Sequence, residues 1–265
     1  MKKNKDLRKI YDQVFQKGEE KFFTRRGNIG EKIELVEVLK QINWKKKKII
    51  DLGCGTGHFA FLAAKKGAKV LGIDYSEEAI KVAKKKYDHP NLSFKHLDIT
   101  KGISGKYDVI VSLGTLEHQD RPLKMLKSFK KHLNSGGKII VTVPNWANLR
   151  GFILMTLFYL FHAPITIADL HYLTPIDFME WASKLKMNLK WKTFDREWSS
   201  GDILIADFKK RIPKVLDDAG LPNDLKKINN LISWLKYKVL PLNNNLPHSG
   251  AMAMYILSKD LKNSD

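Results

Sequence analysis

The feature that most constrains the fold is a regular alternation of apolar and amphipathic segments between residues 48 and 143. Five short segments rich in Val, Ile and Leu have the length and composition of strands buried on both faces. Amphipathic stretches long enough for helices separate most of them, which predicts βαβ units and a parallel sheet covered on both sides. Right-handed crossovers then give a doubly wound α/β fold with a ligand at the carboxyl ends of the strands. The predicted strands are residues 48–52, 70–74, 92–97, 107–112 and 138–143.

Around this core the pattern predicts further segments, and the whole chain is expected to form a mostly parallel, seven-stranded, Rossmann-like sheet with helical insertions. Leu35, Val38, Leu39 and Ile42 recur at helical spacing within an N-terminal segment. After Pro144 the alternation loosens, with an amphipathic helix over residues 174–186 and closing strands over 188–198 and 251–258. The predicted parts are an N-terminal helical cap at 1–47, a core at 48–145, an acceptor-site insertion and helix at 146–187, and closing strands at 188–265 with a helical insertion at about 201–248.

Charge suggests a polyanionic partner but does not establish one. The chain carries a formal charge of +19, supplied by 40 Lys and only 7 Arg. Arg is the side chain that best recognises phosphates and bases in a bidentate manner. Two interpretations therefore stand: lysines on solvated faces, or a footprint for nucleic acid or an anionic membrane. Of the excess, +16 lies in residues 1–150 and only +3 in the remainder, where insertions would select a substrate.

Cysteine content and hydropathy limit the class of protein. The single cysteine, Cys54, excludes a disulfide framework and a cysteine-based zinc site, and is compatible with a reducing compartment. The basic N-terminus lacks the apolar stretch of a signal peptide. The longest uncharged stretch, 151–168, is shorter than the roughly 20 residues of a spanning helix and contains polar residues. We therefore expect a cytoplasmic protein.

The strongest functional signal is a glycine-rich turn between a strand and a helix, in the sequence Asp51-Leu-Gly53-Cys-Gly55-Thr-Gly57. Glycines permit a tight turn and let a ligand approach the backbone, while free amides at the start of a helix attract an anionic group. The spacing differs from the G-x-G-x-x-G of dinucleotide sites, and Asp51 could serve a cationic group, which a pyrophosphate lacks. A glycine turn without any ligand is the alternative.

Acidic residues at successive strand ends raise the case for a ligand. Asp74 ends the second strand, 21 residues after Gly53, where a carboxylate can accept hydrogen bonds from both ribose hydroxyls. Asp98 follows the third strand and is placed to meet the exocyclic amine of a purine. An isolated acid at such a position is more often a helix cap. Three acids beside a glycine turn, counting Asp51, are less easily explained in that way.

This constellation resembles the class I S-adenosylmethionine-dependent methyltransferases over roughly residues 48–145. The resemblance implies S-adenosyl-L-methionine as cofactor and S-adenosyl-L-homocysteine as product. It also implies that Gly53, Gly55 and Gly57 form the cofactor loop, which includes Cys54 as a small filler, with Asp51 towards the methionine part.

The resemblance assigns the remaining cofactor contacts to the ends of the next strands. Asp74 would hold the ribose, with Tyr75 beside the cofactor. Asp98 and the backbone of Ile99 would bind adenine. Leu113, at the end of the fourth strand, would line the methionine and methyl region.

Two further motifs are similar to those of small-molecule methyltransferases, a group that includes the ubiquinone-pathway O-methyltransferases and enzymes acting on glycans or lipids. They are Leu-Glu-His-Gln-Asp-Arg-Pro at 116–122 and His-Tyr-Leu-Thr-Pro at 171–175. His118 and His171 are the candidates for a general base, because imidazole titrates near neutrality. Bracing of strand four and a hinge hydrogen bond are their alternative roles. Some relatives carry a Glu-x-x-Glu-His metal pattern; Gly114 replaces the first glutamate here, so no metal site is predicted.

The sequence predicts the methyl donor more clearly than the acceptor. We expect O-methylation of a small quinone, lipid or glycan-type molecule, and a peripheral membrane contact is compatible with this expectation. Methylation of RNA or protein is the second hypothesis, although Ser-Leu-Gly-Thr at 112–115 replaces the Asn/Asp-Pro-Pro-aromatic motif of base methylation. A non-catalytic cofactor-binding scaffold is the third. The apolar segment 152–161 fits a buried helix, a lid over a hydrophobic acceptor, or a peripheral membrane contact.

Overall fold

The computed structural model describes residues 27–166, 169–243 and 246–259. The predicted N-terminal cap is therefore described only from residue 27 onwards. Within this range the chain forms seven strands, in one sheet. The strands are β1 (Lys48–Leu52), β2 (Lys69–Asp74), β3 (Leu92–His96), β4 (Tyr107–Leu113), β5 (Leu133–Pro144), β6 (Asn188–Phe194) and β7 (Met252–Ser258).

Helices precede the first strand and connect most of the strands. Short 3₁₀ turns occupy Ile99–Lys101 and Leu116–His118, and a π-helical segment occupies Leu235–Val239. The α-helices are α1 (Gly27–Leu39), α2 (His58–Lys65), α3 (Glu77–Lys86), α4 (Pro122–Lys131), α5 (Leu149–Phe161), α6 (Pro175–Leu185), α7 (Arg196–Ser200), α8 (Asp202–Asp218), α9 (Leu225–Trp234) and α10 (Leu240–Asn243).

The strand order is β3-β2-β1-β4-β5-β7-β6. The order reverses direction between β1 and β4, and the pairs β1–β2, β1–β4, β2–β3 and β4–β5 are all parallel. Asp51 on β1 is in register with Gly72 on β2 and with Val111 on β4. In an open α/β sheet the crevice at such a switch point is where ligands bind. The predicted doubly wound, mostly parallel fold is confirmed.

The first compact unit comprises residues 1–143, 176–191 and 254–265, of which the described part contains the parallel strands. Its central strands are buried on both faces, as their continuous apolar sequences predict. Local sequence signals explain where helix α3 begins. Ser76 caps the helix by accepting a hydrogen bond from the Ala79 amide. Acidic residues in the first turn and lysines in the last turn complement the helix dipole. The helix buries its apolar stripe of Ala79, Ile80 and Ala83.

The second compact unit comprises residues 144–175 and 192–253. Its core is a separate cluster of aliphatic and aromatic side chains from α5, α8, α9 and the segments beside them, including Leu154, Ile205, Phe208 and Ile232. Two asparagines connect distant parts of this unit. Asn148 caps α5 by accepting a hydrogen bond from the Gly151 amide (2.8 Å) and donates to the Gly250 carbonyl (2.9 Å).

The end of α4 differs from the prediction. The sequence Asn134-Ser-Gly-Gly137 predicts a helix stop, but the helix ends at Lys131 and β5 already begins at Leu133. Residues 134–137 instead form a bulge in β5, since Tyr107 pairs with Leu133 and Val109 with Lys138. Glycine is required there because a Cβ on Gly137 would lie 2.9 Å from the Asn134 carbonyl oxygen.

Two predictions in the second half of the chain also need correction. The predicted strand over 188–198 ends at Phe194, and the helix α7 follows because Asp195 turns the chain with φ 58°. The insertion predicted to carry one helix contains two long ones, α8 and α9, and the second continues into the π-helical segment. The helix predicted over 174–186 is confirmed as α6. Among the described residues no helix is both long and apolar enough to cross a membrane.

Candidate cofactor-binding site

The glycine turn after β1 has a backbone that other residues rarely adopt. Gly53, Gly55 and Gly57 have φ of 75°, 51° and 84°, all in the left-handed region. An L-residue there costs about 1–2 kcal/mol. The amides of Gly53 and Cys54 both donate to the Ile73 carbonyl, at 2.9 and 3.0 Å, which ties the turn to β2. The glycines are therefore a requirement of the turn itself.

Asp74 holds the same turn through its side chain. One carboxylate oxygen accepts a hydrogen bond from the Gly55 amide and the other from the Ser76 amide, each at 2.9 Å. The side chain is buried. Each carboxylate oxygen can accept more than one hydrogen bond, so these contacts do not exhaust its capacity.

Asp51 is a buried carboxylate at the end of β1. Its Oδ2 atom has no hydrogen-bond partner within the described part of the chain. Burial first, and then the negative charges of Asp74 and Glu34, raise the pKa of Asp51 to about 8. A cationic group placed beside this oxygen would favour the ionised carboxylate and remove the cost of burying it.

The other predicted cofactor residues lie at the same strand ends. Asp98 caps the 3₁₀ turn that contains Ile99, accepting hydrogen bonds from the amide and hydroxyl of Thr100. The cap interpretation is therefore confirmed for Asp98, and its adenine contact stays a prediction. The carbonyl of Tyr75 accepts a hydrogen bond from an imidazole on β3, and Leu113 ends β4 partly exposed. Burial raises the pKa of the Cys54 thiol, as expected for a filler and not a nucleophile.

The segment after β4 approaches the glycine turn closely. A Cβ built on Gly53 would lie 2.4 Å from the Thr115 hydroxyl oxygen, so only glycine leaves room for this segment. Thr115 is fixed by a hydrogen bond from its hydroxyl to the Leu113 carbonyl (3.0 Å). The next three residues form the 3₁₀ turn that carries His118.

His118 pairs with the carboxylate beside it. Its Nε2 lies 3.9 Å from Oε1 of Glu117, and the two side chains are only 12% and 3% exposed. A carboxylate at this distance stabilises a neighbouring imidazolium through its charge. His171, the other predicted base, is a partly buried residue of the second unit.

Sequence reasoning missed two contributions to this site. Glu34 on α1 contributes to the raised pKa of Asp51, but nothing in a helical pattern pairs it with a residue of β1. Phe94 on β3 fills the space above Gly57, where an added Cβ would lie 2.5 Å from the ring, and above Gly72, where it would lie 2.7 Å away. An apolar residue in a strand signals burial without saying which glycines face it.

A separate cleft of about 370 Å³ lies at the opposite end of the strands from the glycine turn. It is lined by residues near the amino ends of β1, β4 and β5, among them Lys47, Asp108 and Lys138. Because the glycine turn lies at the carboxyl ends, this cleft is not the cofactor site.

Comparison with known families identifies the chain. The family described as "Methyltransferase domain" matches residues 43–195, more than half of the chain and the whole of the glycine turn with its acidic strand ends. The chain belongs to this methyltransferase family. The predicted membership of the class I S-adenosylmethionine-dependent methyltransferases is thereby confirmed, and S-adenosylmethionine is the cofactor of that family.

Individual relatives show what this methyltransferase is similar to. A ubiquinone biosynthesis O-methyltransferase of Coxiella burnetii is 32% identical over 117 residues, 43% of this chain and 50% of that protein. The chain thus aligns with about half the length of the curated relatives it matches. An S-adenosylmethionine-dependent methyltransferase from Mesorhizobium loti has the same fold, with a TM-score of 0.54 and 14% identity over 85% of this chain and 96% of that one.

A third relative was solved with the demethylated cofactor bound. Coclaurine N-methyltransferase in complex with N-methylheliamine and S-adenosylhomocysteine superposes with a TM-score of 0.55 and 17% identity, covering 85% of this chain and 71% of that one. Below 25% identity such likeness shows the fold alone.

The site of this methyltransferase fits the family's cofactor. The methionine part carries an ammonium, and Asp51 offers it a buried carboxylate oxygen that lacks a hydrogen-bond partner in the described chain. The left-handed glycines keep side chains out of the turn where the cofactor backbone would approach. We infer that Asp51, Asp74 and the glycine turn would hold the cofactor.

Proposed function

We propose that this protein transfers the methyl group of S-adenosylmethionine to a hydroxyl oxygen of a small, apolar acceptor. The observation that carries the proposal is the Glu117–His118 pair. Its members stand two and three residues beyond Thr115, the residue in close approach to the glycine turn. An acceptor hydroxyl must lose its proton, whereas the methyl group needs only alignment.

The cofactor supplies an electrophilic methyl group on a sulfonium with a neutral leaving group. The protein therefore mainly aligns the acceptor, and good alignment supplies at best about 7–11 kcal/mol of the barrier reduction. The left-handed glycines and the Asp74 hydrogen bonds make the cofactor side of this arrangement rigid.

His118 is proposed to take the acceptor proton. The Glu117 carboxylate lies 3.9 Å from its Nε2, close enough for an electrostatic interaction with the ring. The carboxylate would then stabilise the imidazolium formed on proton transfer. His171 is proposed as a second proton acceptor or as a hydrogen-bonding residue of the acceptor segment.

Two features support a small apolar acceptor. A relative that is 32% identical over 117 residues is named for ubiquinone biosynthesis. The segment 146–187, proposed as the acceptor-site insertion, holds an aromatic group in which Tyr172 packs edge-on against Trp146 (4.8 Å between ring centroids) and Phe158 (4.9 Å). These rings pack against the core of the second unit, and an acceptor pocket that opened against them would favour an apolar ligand.

Transfer of a labelled methyl group into fractionated cell extract tests the proposal. Label in the organic-solvent fraction, lost in His118→Ala but not in the matched variant His132→Gln, would support it. The His132 ring forms a hydrogen bond with the Gly105 carbonyl at the amino ends of the strands, whereas the glycine turn lies at their carboxyl ends. Label in RNA or protein would favour the second hypothesis, and cofactor binding without any transfer would favour the scaffold.

A further inference from the structure

The last helical segment of the second unit, residues 225–243, has apolar side chains on two sides. Its inner side contributes Ile228, Ile232, Leu235 and Leu240 to the core of that unit. Its outer side exposes large apolar residues that a solvated helix rarely carries together. Leu231 is 36% exposed, Trp234 56%, Tyr237 67% and Leu242 85%.

Charge within the segment itself has one sign, and the nearest carboxylate along the chain is that of Asp224, which caps α9 and lies 3.9 Å from the Lys227 ammonium. Between residues 225 and 243 there are four lysines, at 226, 227, 236 and 238, and no acidic residue. Lys227, Leu231 and Trp234 are four and three residues apart and therefore share one face of α9. Tyr237 and Lys238 follow in the π-helical segment, and Leu242 follows in α10. We call Lys227, Leu231, Trp234, Tyr237, Lys238 and Leu242 the lysine–aromatic face.

We propose that the lysine–aromatic face binds the surface of an anionic lipid membrane. Trp and Tyr rings favour the boundary between headgroups and acyl chains, because one end of each ring is apolar and the other polar. Lysine stems cover apolar surface while their ammonium groups reach anionic headgroups. A helix with this composition lies in the plane of the interface without crossing it.

Charge complementarity favours a membrane over other occupants. A protein groove complementary to this face would have to bury Lys227 and Lys238 against acidic side chains, whereas lipid headgroups stay hydrated around them. Single-stranded nucleic acid would use stacking rings with arginine, and the described residues of this segment contain no arginine. The membrane interpretation uses both the lysines and Leu242, the most exposed apolar side chain of the face.

Flotation of the full-length protein with lipid vesicles tests the proposal. Vesicles of phosphatidylcholine with about one third phosphatidylglycerol should bind at least tenfold more protein than pure phosphatidylcholine, and salt should release it. The double variant Lys227→Gln/Lys238→Gln should lower binding at least fivefold, and so should Trp234→Ser/Leu242→Ser. All four side chains are exposed, so thermal unfolding should be unchanged.

Matched variants elsewhere on the surface separate this face from overall charge. Lys84→Gln/Lys85→Gln on α3 removes the same charge, and Ile176→Ser/Met179→Ser on α6 removes two exposed apolar side chains (62% and 43% exposed). Both should bind vesicles like the wild type. Equal binding to the two vesicle types, or equal loss in the matched variants, would overturn the proposal.

Tryptophan fluorescence provides a second readout. The difference spectrum between wild type and Trp234→Phe should shift to shorter wavelength on adding anionic vesicles and should be quenched by brominated lipid. Self-association or RNA binding through Trp234 without vesicle binding would equally overturn the proposal. The assay needs neither cofactor nor acceptor, so its failure is distinguishable from failure of the proposed methyl transfer.

Discussion

The carboxylate of Asp74 accepts a hydrogen bond from the amide of Gly55 over 2.9 Å, so the acid at the end of β2 fixes the glycine turn at the end of β1. The residue proposed to hold the ribose therefore also supports the turn that the rest of the cofactor would contact. Binding and shaping of the site are not separable at this position.

Asp74→Ala should weaken cofactor binding at least tenfold, or about 1.4 kcal/mol, because it removes both the ribose acceptor and the support of the Gly55 amide. Asp74→Asn keeps one acceptor oxygen and should lose less cofactor affinity than Asp74→Ala. Isothermal titration with S-adenosylhomocysteine measures both. Unchanged affinity in Asp74→Ala would remove this residue from the cofactor site.

Cofactor binding should release a proton from Asp51. With a pKa of about 8 in the free protein, Asp51 is mostly protonated at pH 7, and the ammonium of the ligand should drive its ionisation. Affinity should therefore rise with pH up to about 8 and then level off. Calorimetry in buffers of different ionisation enthalpy measures the released proton, which should disappear in Asp51→Asn. An affinity independent of pH between 6 and 8 would contradict the assignment.

Burial of Asp51 should also make the free protein less stable as pH rises. Its pKa is raised on folding from 3.8 to about 8. Between these values the unfolded chain has lost the proton that the folded chain retains, so the free energy of unfolding falls with increasing pH. Urea denaturation at pH 5 and pH 8 should show the decrease, and Asp51→Asn should reduce it. A decrease of equal size in Asp51→Asn would assign it to other groups.

His118→Ala should lower kcat by about 10²–10⁴-fold if its imidazole is the general base, while leaving cofactor affinity within twofold. Glu117→Gln should lower kcat less, because it removes the partner of the imidazole and keeps the imidazole itself. Steady-state kinetics on the acceptor identified by labelling measures both. Full activity in His118→Ala would assign this residue to bracing of the strand end.

Gly57→Ala should destabilise the protein by about 2 kcal/mol or more, since it combines a left-handed φ with a Cβ 2.5 Å from the Phe94 ring. In a Phe94→Leu background, Gly57→Ala should cost less free energy of unfolding. The smaller side chain relieves the clash with the added Cβ, whereas the strain of the left-handed φ remains. A double-mutant cycle by urea denaturation measures the coupling. Additive effects would show that the ring and the glycine are energetically independent.

Asn148→Ala should destabilise the protein by about 1–3 kcal/mol, because it leaves the Gly151 amide and the Gly250 carbonyl without this partner. Asn148→Asp keeps the cap but removes the donor and sets a charge against two carbonyl oxygens, so it should be the worse variant. Chemical denaturation compares them. Equal stability of Asn148→Asp and wild type would rule out the donated bonds as a source of stability.

The parallel core was predictable because each of its signals is local. A run such as Ile49-Ile50 buried on both faces, the glycine turn, and the Ser76 cap each depend on residues close together in the sequence. The second half was less predictable because its restraints are distant. Asn145, for example, donates to the carbonyls of His248 and Gly250, more than 100 residues away, and no periodicity reveals such a pair.

In the candidate site, too, the features that depend on local sequence were predictable and those that depend on distant contacts were not. Asp51 and Asp74 could be located from strand ends alone, since parallel strands bring their carboxyl ends together. The residues of the Glu117–His118 pair, 3.9 Å apart, could be named from their motif. The motif does not show that Thr115, just before them, packs against Gly53; only the structure shows this contact. Close approaches between segments are decided by three-dimensional packing, which a linear pattern does not encode.

The ring of Phe94 is the common neighbour of Gly57 in the turn and Gly72 on β2. These three positions share a fixed volume, so their evolution should be coupled. In a homologue with a smaller side chain at the position of Phe94, alanine at the position of Gly72 would meet no ring, and only the Cys54 sulfur, 3.0 Å from the added Cβ, would have to shift; no left-handed φ intervenes there. At the position of Gly57 the backbone should continue to select glycine. Covariation between 72 and 94, with invariance at 57, would be the evolutionary record of this packing.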